Sequence, residues 1–188
     1  EYLIEFSFDN FKTDINKSIK IFKEKLGYNP IFFSYPFGEY SLEHEEYIKN
    51  NFEFAFGQHS GVIDLNKNKY ELPRFPMNEK YGDLKRFKNV ISYLPLQYKN
   101  VKPKDKLIQE SNNPPKLEIE FFKEQENLNK ITCYSNEGNK WQKSNINLEN
   151  NLLKVDFNEK FNFRRGRINC SLLDKEGWRF FGIQFSKN

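Results

Sequence analysis

Ile31-Phe32-Phe33-Ser34-Tyr35-Pro36-Phe37-Gly38-Glu39-Tyr40 is the stretch on which the reading of this chain turns. Four of its first five residues are apolar or aromatic, the composition of a short buried strand, and Pro36 followed by Gly38 ends that strand abruptly. A strand that stops at a Pro-aromatic-Gly turn directs backbone N–H groups beyond its carboxyl end. That is the end at which α/β folds gather their sites.

Upstream, Phe11, Ile15, Ile19, Phe22 and Leu26 recur every three or four residues, one face of a helix with Asp9 or Asn10 as its N-cap and Gly27 as its C′ residue. Tyr2–Phe8 reads as an irregular entry before it. Downstream, Ser41 caps a second helix that runs to about Asn50, with Glu43, Glu45 and Glu46 in the turns where the helix dipole favours negative charge. Phe54–Phe56 is a short strand, Gly57–Gly61 a glycine-bracketed loop, and Tyr70–Phe75 a further strand closing on Pro76. Asp83 caps a third helix whose inward face is Leu84, Phe87 and Ile91.

Prolines at 95, 103, 114 and 115, with Ser111-Asn112-Asn113 before the last two, mark a boundary region. Beyond it the apolar period changes to two: Leu117, Ile119 and Phe121 alternate with charged residues, as do Leu153, Val155 and Phe157. Runs ending at Cys133, Cys170 and Phe185 look alike, with turns at 136–139, 149–151 and 174–177. The expected organisation is α/β plus all-β: an α/β unit over residues 1–98, a linker over 99–113, and a small antiparallel β-sandwich over 114–188. Trp141 and Trp178 are read as buried aromatics of that sandwich, with a sugar-stacking platform as the alternative.

Three motifs then carry a resemblance. Tyr35-Pro36-Phe37-Gly38-Glu39, Ala55-Phe56-Gly57-Gln58-His59-Ser60-Gly61 and Leu72-Pro73-Arg74-Phe75-Pro76-Met77 resemble, in order and spacing, the later motifs of the polysaccharide deacetylase family, the NodB-like carbohydrate esterases. The resemblance implies a partial (β/α) deacetylase barrel followed by an accessory β-sandwich. It implies a parent hydrolase that removes N-acetyl or O-acetyl groups from a glycan, its divalent metal (Zn or similar) polarising the carbonyl and activating water. The family takes its metal ligands from a Thr-Phe-Asp-Asp-like motif and a His-x-x-x-His motif. This chain has 2 histidines, His44 and His59, fifteen residues apart, and no His lies between Asn10 and Pro36. Ser7-Phe8-Asp9-Asn10, which is similar to the first of these motifs, therefore reads as a helix cap. The chain alone is expected to bind no metal and to be inactive; the alternative is a non-catalytic carbohydrate-binding or interaction module on a degenerate half barrel.

Mapped motif by motif, the resemblance makes the backbone N–H of Phe37 the donor to the oxyanion of the tetrahedral intermediate. Tyr35, Pro36, Gly38, Glu39 and Gln58 become candidate substrate contacts. For Glu39 the ordinary arrangement, an exposed carboxylate before a helix where the dipole favours negative charge, is the preferred reading. His59 is a candidate acid or substrate contact. Many members carry an Arg two positions before the motif proline, where this chain has Ser34; Arg74 either supplies that orienting charge or bridges loops. His44, among glutamates on a polar helix, reads as a solvated surface residue.

With 30 basic and 26 acidic residues the net charge is +4, too little to point to nucleic acid. No run approaches the roughly 20 apolar residues of a membrane span. The expected partner is an acetylated polysaccharide or oligosaccharide, with self-association through exposed barrel edges. Cys133 and Cys170 are either a disulfide, which favours the cell envelope or a secreted location, or two buried thiols.

Overall fold

The computed structural model describes residues 3–5 and 7–187; Tyr2 and Phe6 of the expected irregular entry lie outside them. Leu3–Glu5 is a single 3₁₀ turn, and α1 (Phe8–Leu26) follows. Ser7, two or three residues earlier than the expected Asp9 or Asn10, is the N-cap, its hydroxyl accepting from the Asn10 N–H at 3.3 Å. Gly27 closes the helix in the left-handed conformation, its N–H donating to the Lys23 carbonyl. Phe11 and Ile15 are buried, but at the other end of the helix Leu26 is 54% exposed, so only the first half of the predicted face is covered.

β1 (Phe32–Ser34) pairs in parallel with β2 (Phe54–Phe56), and α2 (Leu42–Lys49) crosses between them. The strand expected over Tyr70–Phe75 shrinks to one parallel bridge, Leu72 beside Phe56. α3 (Leu84–Ile91) starts on the Asp83 cap as predicted, yet its expected inward residues face solvent: Leu84, Phe87 and Ile91 are exposed and only Val90 is buried.

Two further sheets share a second core. One runs β4 (Asn100–Lys102), β6 (Leu117–Glu120), β10 (Leu152–Asp156), β9 (Asn145–Glu149). The other runs β3 (Leu94–Pro95), β12 (Trp178–Lys187), β11 (Arg165–Leu173), β7 (Thr132–Ser135), β8 (Gln142–Lys143), with β5 (Leu107–Ile108) also on β12. Leu117, Ile119, Leu153 and Val155 of the first sheet meet Ile168, Leu172, Ile183 and Phe185 of the second. None of the sheets closes on itself. The stretch read as a linker is woven into this unit: Val101 and Ile108 belong to its core, and β4 and β5 are hydrogen-bonded to β6 and β12. Cys133 and Cys170, directly opposite each other on β7 and β11, form a disulfide.

β12 is the strand on which the two parts of the molecule meet. Its Phe181, Ile183 and Phe185 enter the core, whereas Gly182, Gln184 and Ser186 point the other way and are also buried. The α/β unit covers the first two, Ser60 lying over Gly182 and the 36–38 turn over Gln184. An added Cβ on Gly182 would lie 1.9 Å from the Ser60 carbonyl oxygen, so backbone approaches backbone there and only glycine fits.

Candidate functional site

The ends of β1, β2 and the Leu72 bridge lie side by side, and that brings the three motif loops together. The Tyr35 N–H donates to the Phe56 carbonyl at 3.0 Å, the Gly57 N–H to the Leu72 carbonyl at 2.9 Å, and the Arg74 N–H to the His59 carbonyl at 3.0 Å. Gly38 packs so closely on the second loop that a Cβ there would sit 2.6 Å from the Gln58 nitrogen.

Pro36–Gly38 is a tight 3₁₀ turn in which Phe37 (φ 56°) and Gly38 (φ 69°) are both left-handed. Glycine adopts that conformation freely; for phenylalanine it costs roughly 1–2 kcal/mol. The restraint comes from the β unit. The side-chain amide of Gln184 donates to the carbonyls of Phe37 and Gly38, both at 2.9 Å, and the Arg165 guanidinium lies 5.1 Å from the centre of the Phe37 ring. Pro36 and Phe37 are exposed at the turn, while Tyr35 and Gly38 are buried beneath it. The Tyr35 ring stacks on Tyr40 at 4.4 Å, so Tyr35 supports the turn from below and presents no side chain to a ligand.

Glu39 is fully buried and does not face a cleft. Its carboxylate accepts from Arg164 Nε at 3.1 Å and has Arg165 Nε at 3.6 Å; Arg164 also reaches Glu5 at 2.6 Å. Burial raises the Glu39 pKa and the two arginines only partly oppose it. The residue ties the turn to β11, in place of the substrate contact expected from its position.

His59 is likewise enclosed, in a cavity of about 60 Å³ walled by Leu72, Pro73, Leu96 and Phe181. Burial, with Lys106 and Arg167 nearby, pushes its pKa down to about 3, so the ring is neutral at physiological pH and is a poor proton donor. His44 is not on the surface. It is buried against Phe11, with ring centres 4.7 Å apart, and its Nδ1 lies 2.7 Å from the Ser41 hydroxyl within a capping box. The residues present do not fit a metal centre. Among the described residues no cluster of three His, Cys, Asp or Glu forms one, one imidazole sits beside two cations and the other serves as a cap.

The remaining candidates, Gln58 and Arg74, open onto a groove of about 520 Å³ on the outer side of β11 and β12. Arg86 of α3, Arg167 of β11 and Trp141 line it too. Comparison with protein-family models, curated proteins and solved structures returned no match. The groove and the motif turn are linked: Arg167 Nε donates to Gln184 Oε1 at 2.9 Å, and the same amide grips Phe37 and Gly38 from its nitrogen. Both tryptophans are about half exposed, at 50% and 49%; of the two, Trp141 lines the groove.

Sequence reasoning misses Gln184 and Arg86 as members of this site, and it reads Arg167, within the Arg164–Arg167 cluster, as part of a solvated turn with an anionic glycan as the alternative. Gln184 occupies the polar phase of an alternating strand, which reads as solvent-facing. Arg86 lies on a helix and Arg167 about eighty residues later, and no local pattern joins them.

Proposed function

We propose that this chain is the glycan-holding, carboxyl-terminal portion of a polysaccharide deacetylase of the NodB-like carbohydrate esterase type, a hydrolase of N-acetyl or O-acetyl groups. The observation that carries the reading is the meeting of the three motif loops, in motif order, at the carboxyl ends of adjacent parallel segments. The uncovered apolar residues support it further. Leu26, Phe32, Leu84, Phe87 and Ile91 are exposed around the α/β unit, as they would be where further barrel elements pack or where copies self-associate. Neither His44, which serves as a helix cap, nor His59, which sits beside two cations, is placed to hold a metal, so no hydrolytic step is assigned to them; in this reading the part of the motif loops is to bind and orient the glycan.

The half-exposed Trp141 beside an open groove favours a second reading, a carbohydrate-binding module with no hydrolytic partner. Titration of the ¹⁵N-labelled chain with chitohexaose and with its fully deacetylated counterpart separates the two. The deacetylase reading expects amide shifts at Gly38, Gln58 and Gly61 that need the acetyl groups. Equal shifts with both sugars favour the binding module. No shift with either sugar overturns both readings, and acetate release by the chain alone with added Zn²⁺ overturns the assignment of the metal site elsewhere.

A further inference from the structure

The groove on the outer face of β11 and β12 is built from segments far apart in sequence. The loop after β2 gives Gln58, the loop after the Leu72 bridge gives Arg74, α3 gives Arg86, and β11 gives Arg167 and Asn169. Trp141 stands at its side, half exposed.

Its charge is one-sided. Among the described residues no carboxylate lies within 4.0 Å of Arg74, Arg86 or Arg167, although the three other arginines, 164, 165 and 179, are paired with Glu or Asp. No Asp or Glu lines the groove. Burial, with Arg165 and Arg74 nearby, lowers the pKa of Arg167, the mark of positive charge gathered without compensation. Two polar atoms of groove residues, Arg86 Nε and Asn169 Oδ1, are also buried with no hydrogen-bond partner in the protein. Buried polar groups are normally satisfied, so a hydrogen-bonding ligand in the groove is one way to supply the missing bonds.

The apolar part of the groove is aromatic. Phe180 and Tyr93 stack with ring planes 2° apart, Phe75 meets Phe180 edge-on at 5.3 Å, and the Arg86 guanidinium covers the Tyr81 ring at 5.5 Å. Flat aromatic faces suit the apolar faces of pyranose rings, and planar guanidiniums suit carboxylates, which they can grip through two parallel hydrogen bonds.

We infer that this groove binds an acidic glycan, with Arg74, Arg86 and Arg167 receiving the carboxylates of uronic acid residues and Trp141 stacking on a neighbouring ring. The inference rests on the reading of this end of the fold as a glycan site and names the class of glycan it takes. Sulfated sugars share the chemistry of an anionic substituent on a pyranose, and the test separates them.

The test is titration calorimetry of the whole chain with tetragalacturonate, a chondroitin sulfate tetrasaccharide, chitohexaose and inorganic sulfate, at 50 and 300 mM NaCl. Tetragalacturonate is expected to bind at least tenfold more tightly than chitohexaose and than sulfate ion, and to weaken at the higher salt. Arg86→Gln and Arg74→Gln should each weaken it about tenfold while leaving the circular dichroism spectrum unchanged; both side chains are at or near the surface, so either variant suffices if the other fails to fold. A chondroitin sulfate tetrasaccharide that binds more tightly than tetragalacturonate overturns the choice of carboxylate. Chitohexaose binding as tightly as tetragalacturonate, insensitive to both variants, overturns the acidic-glycan inference and leaves the deacetylase reading standing. Sulfate ion matching tetragalacturonate reduces the groove to a general anion site and overturns it too, and binding of no saccharide overturns both.

Discussion

Gln184 holds Phe37 from across the molecule: its side-chain nitrogen lies 2.9 Å from the Phe37 carbonyl oxygen, 147 residues away in sequence. The same amide nitrogen takes the Gly38 carbonyl, and its oxygen accepts from Arg167. One buried side chain thus fixes a left-handed turn in the α/β unit to a strand in the β unit and to a groove arginine.

Replacing Gln184 tests that coupling. Gln184→Ala leaves two carbonyls and a guanidinium without their partner and should cost about 1–3 kcal/mol in urea unfolding. Gln184→Glu keeps an acceptor for Arg167 but cannot donate to either carbonyl. It should destabilise at least as much and shift the amide resonances of Gly38, whereas equal stability of all three proteins removes Gln184 as the clamp.

Gly182→Ala examines the contact between the two parts. The added methyl would meet the Ser60 carbonyl at 1.9 Å, so β12 or the loop after β2 must move. Overpacking of this kind costs about 1–3 kcal/mol. Limited proteolysis should then cut the 57–61 loop faster than in the unaltered chain.

The pH dependence of stability follows from His59. Its folded pKa of about 3 lies below the ordinary 6.5, so the unfolded chain takes up the proton first as pH falls. Its contribution is fully present above pH 6.5 and is lost progressively as the pH drops from 6.5 toward 3, by up to about 1.4 kcal/mol per pH unit. His44, also lowered by burial, acts in the same direction. Urea midpoints measured from pH 7.5 to 4.5 should fall, and His59→Gln should flatten the slope; an unchanged slope would show that His59 takes no part.

The Cys133–Cys170 disulfide closes a loop of 37 residues in sequence. In the chain-entropy account such a loop is worth about 4 kcal/mol. A Cys133→Ala/Cys170→Ala double variant should lower the urea midpoint accordingly, and the unaltered chain should show the same loss in the presence of dithiothreitol. Midpoints that do not differ would mean that the pair adds nothing to stability.

Much of the local structure was legible. Ser41, Asp83 and Gly27 cap helices through short-range hydrogen bonds that depend only on residues three or four positions away, so they read directly from the sequence. The period-two stretches became strands for the same reason. The site was less legible. Glu39 and His59 stand in motifs and are candidate substrate contacts on sequence, Glu39 otherwise an exposed helix-dipole carboxylate; both are buried, because what covers them comes from elsewhere: Arg164 and Arg165 of the β unit for Glu39, and Phe181 and Leu96 for His59. The inward face expected of α3 proved to be outward, since periodicity identifies an apolar stripe and not what lies opposite it.

Sequence alone determined most of the elements, the caps at Gly27, Ser41 and Asp83, the turn at Pro36–Gly38 and the order of the three motif loops, all set by backbone preferences and near neighbours. Tertiary structure alone decided that the polar phase of β12 is an interface, that the supposed linker is part of a sheet, and that Arg74, Arg86 and Arg167 share a groove. The physical reason is that burial and electrostatic environment depend on which distant segments pack together, and no residue's neighbours in sequence specify that packing.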